Sequence, residues 1–239
     1  MKKLPWIACA IIALSTSSCV FADINGSNGS GRPVEETYYM NNFNEVEVSS
    51  AMNVTIVPST EFRVTANGAE RDVDDLNIRV INRTLYVEYR NKNWFRGRSQ
   101  MNILIETPTL DEVDASGACK LEIEDFSSFR LLEIDLSGAS ELTLDVPTDN
   151  LDVELSGAST VTVKQPVSIL SADLSGASRL YAFDAYASRA DLELSGSSRA
   201  NVSVSDYLKV EASGASVVNY KGSPRIDQEL TGGSKINRN

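Results

Sequence analysis

The sequence predicts an all-β protein: a single-stranded, right-handed parallel β-helix, or β-solenoid, with about 18–21 residues per coil. Three observations predict it. Ser-Gly or its near equivalent recurs with glycines at Gly117, Gly138, Gly157, Gly176, Gly196, Gly214 and Gly232, spaced 21, 19, 19, 20, 18 and 18 residues apart. Around each glycine runs Leu-x-Val-x-Leu-Ser-Gly-Ala-Ser-x-Leu-x-Val, cleanest from Leu151 to Val163. Its apolar residues alternate with period 2, which is the period of a strand and not of a helix. A single copy leaves its apolar face open to water, so copies must stack, each one rung above the last, to enclose an interior. The right hand follows the usual preference of parallel crossovers.

The first residues read as a targeting segment. Met1-Lys2-Lys3 and the apolar run Leu4 to Leu14 form a secretory signal peptide, too short to span a bilayer as a permanent helix. Two cleavage readings compete. In one, residues 1–18 are removed and Cys19 is acylated as in a bacterial lipoprotein, although Thr16 stands where such signals usually carry Leu. In the other, Val20-Phe21-Ala22 is the site, and cleavage after Ala22 releases a soluble periplasmic or secreted protein. Asn25 to Gly31 holds only Asn, Gly and Ser, a flexible tether within a linker over 19–42. An outer-membrane lipoprotein is therefore the expected form. Loss of Lys2 and Lys3 moves the net charge from −11 to −13.

Residues 43–239 form the β-helix domain, with regular repeats over 111–239. It opens with an eighth, weaker copy, Val46-Glu47-Val48-Ser49-Ser50-Ala51-Met52-Asn53-Val54, in which Ser50 takes the glycine position. From Thr60 to Pro108 the pattern changes. Leu76–Ile81 and Leu85–Tyr89 flank Asn82-Arg83-Thr84 as a hairpin, Met101–Glu106 is a further strand, and this section closes the amino-terminal end. In the regular repeats Ser-Gly makes a sharp corner. Length variation at 124–130, 147–150, 165–166, 184–189 and 222–225 reads as loops on the opposite side. Cys119 falls in the inward column otherwise filled by Ser140, Ser159, Ser178, Ser198, Ser216 and Ser234, so it reads as a small packing residue. With Cys9 and Cys19 leaving or lipidated, no intrachain disulfide framework remains.

Composition limits the chemistry. The chain has no histidine, which removes Ser-His-Asp and Cys-His catalysis and His-ligated zinc. A net charge of −11 argues against nucleic acid as a partner and against a bare anionic membrane, leaving membrane contact to the lipid alone. Three residues before each corner glycine stand Asp114, Asp135, Glu154, Asp173, Glu193, Glu211 and Glu229, with Glu47 in the first copy. Two residues earlier come Glu45, Glu112, Glu133, Asp152, Asp191 and Asp227, with Ser171 and Lys209 the exceptions. All point outward as an acidic ribbon, which either keeps a flat sheet soluble or holds Ca²⁺ through Asp114, Asp135, Glu154, Asp173, Glu193, Glu211 and Glu229. A basic loop, Arg90, Lys92, Trp94, Phe95, Arg96 and Arg98, either packs as a lid or offers a ring for stacking and cations for anionic groups. No other cofactor is expected.

The chain resembles the putative auto-transporter adhesin, head GIN domain family of exported bacterial proteins. The resemblance rests on Val46 to Val54, on Leu85-Tyr86-Val87-Glu88, on Thr107-Pro108-Thr109-Leu110 leading into Val113-Asp114-Ala115-Ser116-Gly117-Ala118, and on the Ser-Gly-Ala-Ser corners. It implies a β-helix without catalytic residues. The expected function is a non-enzymatic cell-envelope adhesin, presenting a repetitive surface to a glycan or matrix protein. The alternatives are a structural component binding another envelope protein, and a carbohydrate-active β-helix enzyme in which Lys209 would be the odd residue.

Overall fold

The computed structural model describes residues 31–91 and 97–239; the expected signal peptide, Cys19 and the first half of the expected linker lie outside them. The amino-terminal part comprises β1 (Pro33–Tyr39), β2 (Glu45–Ser49), β3 (Asn53–Pro58), β4 (Arg63–Ala69), α1 (Glu70–Asp74), β5 (Leu76–Ile81), β6 (Thr84–Tyr89) and β7 (Asn102–Thr107). The repeats follow as β8 (Glu112–Ser116), β9 (Lys120–Glu124), β10 (Phe129–Leu136), β11 (Glu141–Asp145), β12 (Thr148–Leu155), β13 (Thr160–Val163), β14 (Val167–Leu174), β15 (Arg179–Leu194), β16 (Arg199–Ala212), β17 (Val217–Gly222), β18 (Arg225–Leu230) and β19 (Lys235–Arg238).

Parallel pairing assembles these strands into two stacks and a β-solenoid of about seven turns. The first stack, before each corner, runs β6, β2, β8, β10, β12, β14, the second half of β15, the second half of β16, and β18. The second stack, after each corner, runs β7, β3, β9, β11, β13, the first half of β15, the first half of β16, β17 and β19. Alternation places Leu151, Val153, Leu155, Val161 and Val163 inside, each at most 2% exposed. The same columns continue through every rung as one apolar core.

The corners show why glycine recurs. Gly157 has φ +71°, in the left-handed region that a side chain resists, and a Cβ there would lie 2.5 Å from the Gly138 carbonyl oxygen of the rung below. That oxygen accepts the Ala158 amide at 2.7 Å, and the same bond repeats from corner to corner. Just past each corner, the serine column is buried from Ser140 to Ser216. Ser159 Oγ donates to the Ser156 carbonyl at 2.8 Å, and Ser178 does the same to Ser175 at 2.7 Å. Cys119 occupies this column with its Sγ 3.3 Å from the Ser116 carbonyl. Burial pushes its thiol pKa up, which opposes formation of a reactive thiolate.

The expected loops need correction. Segments 147–150 and 184–189 are largely strand, because each turn has a third, short side. There the alternation breaks at adjacent outward residues, such as Asp149-Asn150 and Ser168-Ile169, and the chain bends without leaving the sheet. β15 runs unbroken through two such bends, with Ala185 and Ala187 facing in and the register shifting there.

The amino-terminal end is closed as expected, but its rungs are not stacked in chain order. The weak first copy, β2–β3, lies directly against the first regular repeat: Glu45 pairs with Glu112, Glu47 with Asp114 and Ser49 with Ser116. Beyond it sits the β6–β7 rung, formed later in the chain. Antiparallel pairings of β5 with β6, β4 with β7 and β1 with β4 then close this end. The β5–β6 hairpin turns at Asn82 and Arg83, both with positive φ (52° and 73°), as a two-residue hairpin turn requires. No helix among the described residues is long and apolar enough to cross a membrane.

Candidate interaction surfaces

Strand register confirms that the carboxylates form columns on the outer face of the first stack. Glu47, Asp114, Asp135, Glu154, Asp173, Glu193, Glu211 and Glu229 follow one another from rung to rung, beside Glu45, Glu112, Glu133, Asp152, Ser171, Asp191, Lys209 and Asp227. Rungs lie about 4.8 Å apart, so like charges crowd. At the amino-terminal end the crowding is greatest. Burial, then Glu112, Asp135, Glu47 and Glu45, push the Asp114 carboxyl up to about 7. Burial and then Glu45, Glu133 and Asp135 also raise Glu112. Lys209, the exception in its column, reaches Glu211 at 2.9 Å and Asp191 at 3.4 Å, and these carboxylates raise its pKa further. It is therefore a charge clamp within the ribbon. Among the described residues no three acidic or cysteine side chains converge as a metal cage; the ribbon carboxylates sit side by side on a flat face.

The basic loop is visible only at its two ends, since Lys92, Trp94, Phe95 and Arg96 lie outside the described residues. Arg98 stacks its guanidinium 3.6 Å from the Tyr89 ring centroid and donates to Asp75 and to the Asn91 carbonyl, each at 2.6 Å. Burial raises the Asp75 carboxyl, but Arg98 and Asn91 outweigh it and hold the pKa below the ordinary value. Asp72, almost fully buried, accepts the Ser99 amide at 2.9 Å and lies 3.7 Å from Arg98. Arg90 donates to the Asp74 carbonyl at 3.2 Å. Both ends of the loop are thus bound to α1 and the residue after it. Tyr89 and these acids lie up to 27 residues before their partners, which no local pattern in the loop announces.

One surface was missed at the sequence level. On the outer face of the second stack, the strand segments from Arg179 onward turn basic. Arg179, Arg199, Val217 and Lys235 form one column, and Tyr181, Asn201, Asn219 and Asn237 the next. The asparagines make a ladder: Asn219 Nδ2 donates to Asn201 Oδ1 at 2.8 Å and Asn237 Nδ2 to Asn219 Oδ1 at 3.1 Å. Lys221 rests 4.3 Å above the Phe183 ring. The signal was present at fixed offsets of three and five residues after the corner glycines.

Comparison with known proteins agrees with this architecture. The family of the putative auto-transporter adhesin, head GIN domain, matches residues 42–224. The chain belongs to this family. Head GIN members are adhesin-like, which points to an exported or envelope protein. Three solved structures share its fold. A putative adhesin from Bacteroides fragilis superposes with a TM-score of 0.75 at 20% identity, covering 87% of this chain and 97% of that one. A putative lipid binding protein from Parabacteroides distasonis gives 0.71 at 20% identity, covering 88% and 98%. A putative adhesin from Parabacteroides merdae gives 0.70 at 17% identity, covering 88% and 97%. At these identities the likeness concerns the fold. Comparison with curated proteins finds no match.

Proposed function

We propose that the protein is a non-enzymatic adhesin of the cell envelope, tethered to the outer membrane through acylated Cys19 and presenting the flat faces of its solenoid to an extended glycan or matrix protein. The observation that carries this reading is the stacking itself. Each outward position becomes a column repeated at every rung, so the surface is rigid, long and chemically periodic. Such a face suits a repetitive partner better than a small substrate, which needs a concave pocket with converging groups. The ribbon carboxylates repeat in open columns, and Lys209, the odd residue an enzyme reading would use, is held by Asp191 and Glu211. The family and its adhesin neighbours support the same reading.

The test is binding of the purified full chain to a panel of glycans and matrix proteins at physiological salt, with Ca²⁺ and with chelator. Saturable binding to at least one class is expected. Binding present only with Ca²⁺ assigns the contact to the acidic ribbon as a metal-dependent site. A blank panel, with envelope proteins recovered by pull-down, would replace adhesion by a structural envelope role.

A further inference from the structure

We infer that the carboxy-terminal half of the second stack is a binding face for an acidic glycan, a polysaccharide bearing carboxylate or sulfate groups. The inference rests on the adhesin reading and gives it a site and a ligand class.

The charge distribution is the first observation. This half of the face is built from Arg179–Phe183, Arg199–Val204, β17 and β19, which carry Arg179, Arg199, Lys221, Lys235 and Arg238 and no Asp or Glu. The amino-terminal half of the same face is mixed, with Lys120 among Glu122, Glu124, Glu141 and Asp145. In a chain of net charge −11, a patch of one sign and the opposite polarity concentrates anionic ligands. Among the described residues Arg179, Arg199 and Lys235 have no ion-pair partner, whereas Lys209, on the other stack, has two. Arg179 and Arg199 sit on adjacent strands and Lys235 two rungs further on.

The chemistry between the cations is the second observation. Tyr181 is 41% exposed and heads the column of side-chain amides. Once the ladder bonds are made, Asn237 at the exposed last rung keeps its carbonyl oxygen as the open end, while Asn201 is only 9% exposed. Sugar hydroxyls both donate and accept, so they satisfy such a row, while an exposed phenol ring packs against the apolar face of a pyranose. The acidic ribbon of a second copy would meet the cations equally well. It supplies mostly acceptors, though, and would leave the Asn237 oxygen facing carboxylates. Strands about 4.8 Å apart also repeat at roughly the advance of one sugar unit in an extended chain, so each rung can meet one unit. Guanidinium groups suit carboxylate and sulfate because their paired donors match two oxygens at once.

The experiment measures binding of the full chain to immobilised heparin (sulfated), polygalacturonate (carboxylated) and dextran (neutral) at physiological salt. The wild-type chain should bind one or both acidic polymers and not dextran. The double variant Arg179→Ala/Arg199→Ala should bind about tenfold more weakly or worse, and Tyr181→Ala should also lose affinity. Asp152→Asn, on the other stack, should bind at least as tightly as wild type. These positions are outward, and cooperative unfolding of each variant checks that the fold is kept. Acidic-polymer binding unchanged in both variants overturns the inference and leaves adhesion standing. Binding only to dextran or only to matrix proteins does the same. Failure to bind any glycan or matrix protein overturns both. Self-association in sedimentation that the double variant abolishes would assign the patch to the ribbon of a second copy, and would also overturn the inference.

Discussion

Gly157→Ala should lower the free energy of unfolding by about 3 kcal/mol. Alanine in the left-handed region costs roughly 1–2 kcal/mol. Its methyl would also stand 2.5 Å from the Gly138 carbonyl oxygen, so that carbonyl must move and weaken its 2.7 Å bond from the Ala158 amide, at about 1 kcal/mol. The damage lies between two rungs, where a solenoid stores its coupling energy, so the unfolding transition should broaden as well as shift. Ser50 provides the contrast. It stands at the same corner position of the first copy with φ 77°, although it carries a side chain. A Cβ at a corner points toward the rung on the amino-terminal side, and the sequence between β6 and β7 of that rung carries no Ser-Gly step. Ser50→Ala should therefore change stability by less than about 0.5 kcal/mol. Urea unfolding of both variants decides the matter: equal midpoints would mean that the corner stacking is not the constraint.

Stability should fall as the pH rises from about 4 to 7, and Asp114 should account for a large part of the change. Its carboxyl is raised from 3.8 to about 7 by burial and by the ribbon around it. In that interval the native protein holds a proton that the unfolded chain releases, so stability is fullest below the unfolded value and is lost as the pH climbs through the folded one. Three units at 1.36 kcal/mol each set an upper bound of about 4 kcal/mol. Asp114 is only half-buried, and solvent screening brings the expected contribution to about 1–2 kcal/mol. Asp114→Asn should stabilise the protein by that amount at pH 8, do little at pH 4, and flatten the profile between. An unchanged profile in the variant would transfer the effect to Glu112, which is raised by the same causes. Asp75 works in the opposite sense. Its carboxyl is held low, so what it adds with Arg98 is lost only as the pH falls through that depressed value.

The corners and the alternation were legible in the sequence because each has a local cause: positive φ demands glycine at Gly157, and period 2 sorts Leu151, Val153 and Leu155 inward. The third side of each turn was not legible. Ala185 and Ala187 face the core but are flanked by Asp184, Tyr186 and Ser188, a run with the composition of a loop. Stacking order was hidden too. Glu47 and Asp114 are neighbours through pairing across a long intervening segment, which repeat matching detects as likeness and not as contact. The acidic ribbon was visible because one charge type fills nearly every rung. The basic face escaped notice because within the regular repeats its column runs through Lys120, Glu141 and Thr160 and becomes uniformly basic or apolar only from Arg179.

The adhesin account is tested most directly by attachment of living cells. Cells of the source bacterium with and without this chain should be compared on surfaces coated with heparin, polygalacturonate or matrix protein. The account predicts that loss of the chain lowers attachment to at least one coating, that the wild-type chain restores it, and that Cys19→Ala, which would remove the proposed lipid tether, does not. Attachment unchanged on every coating, together with a weakened envelope, would contradict it.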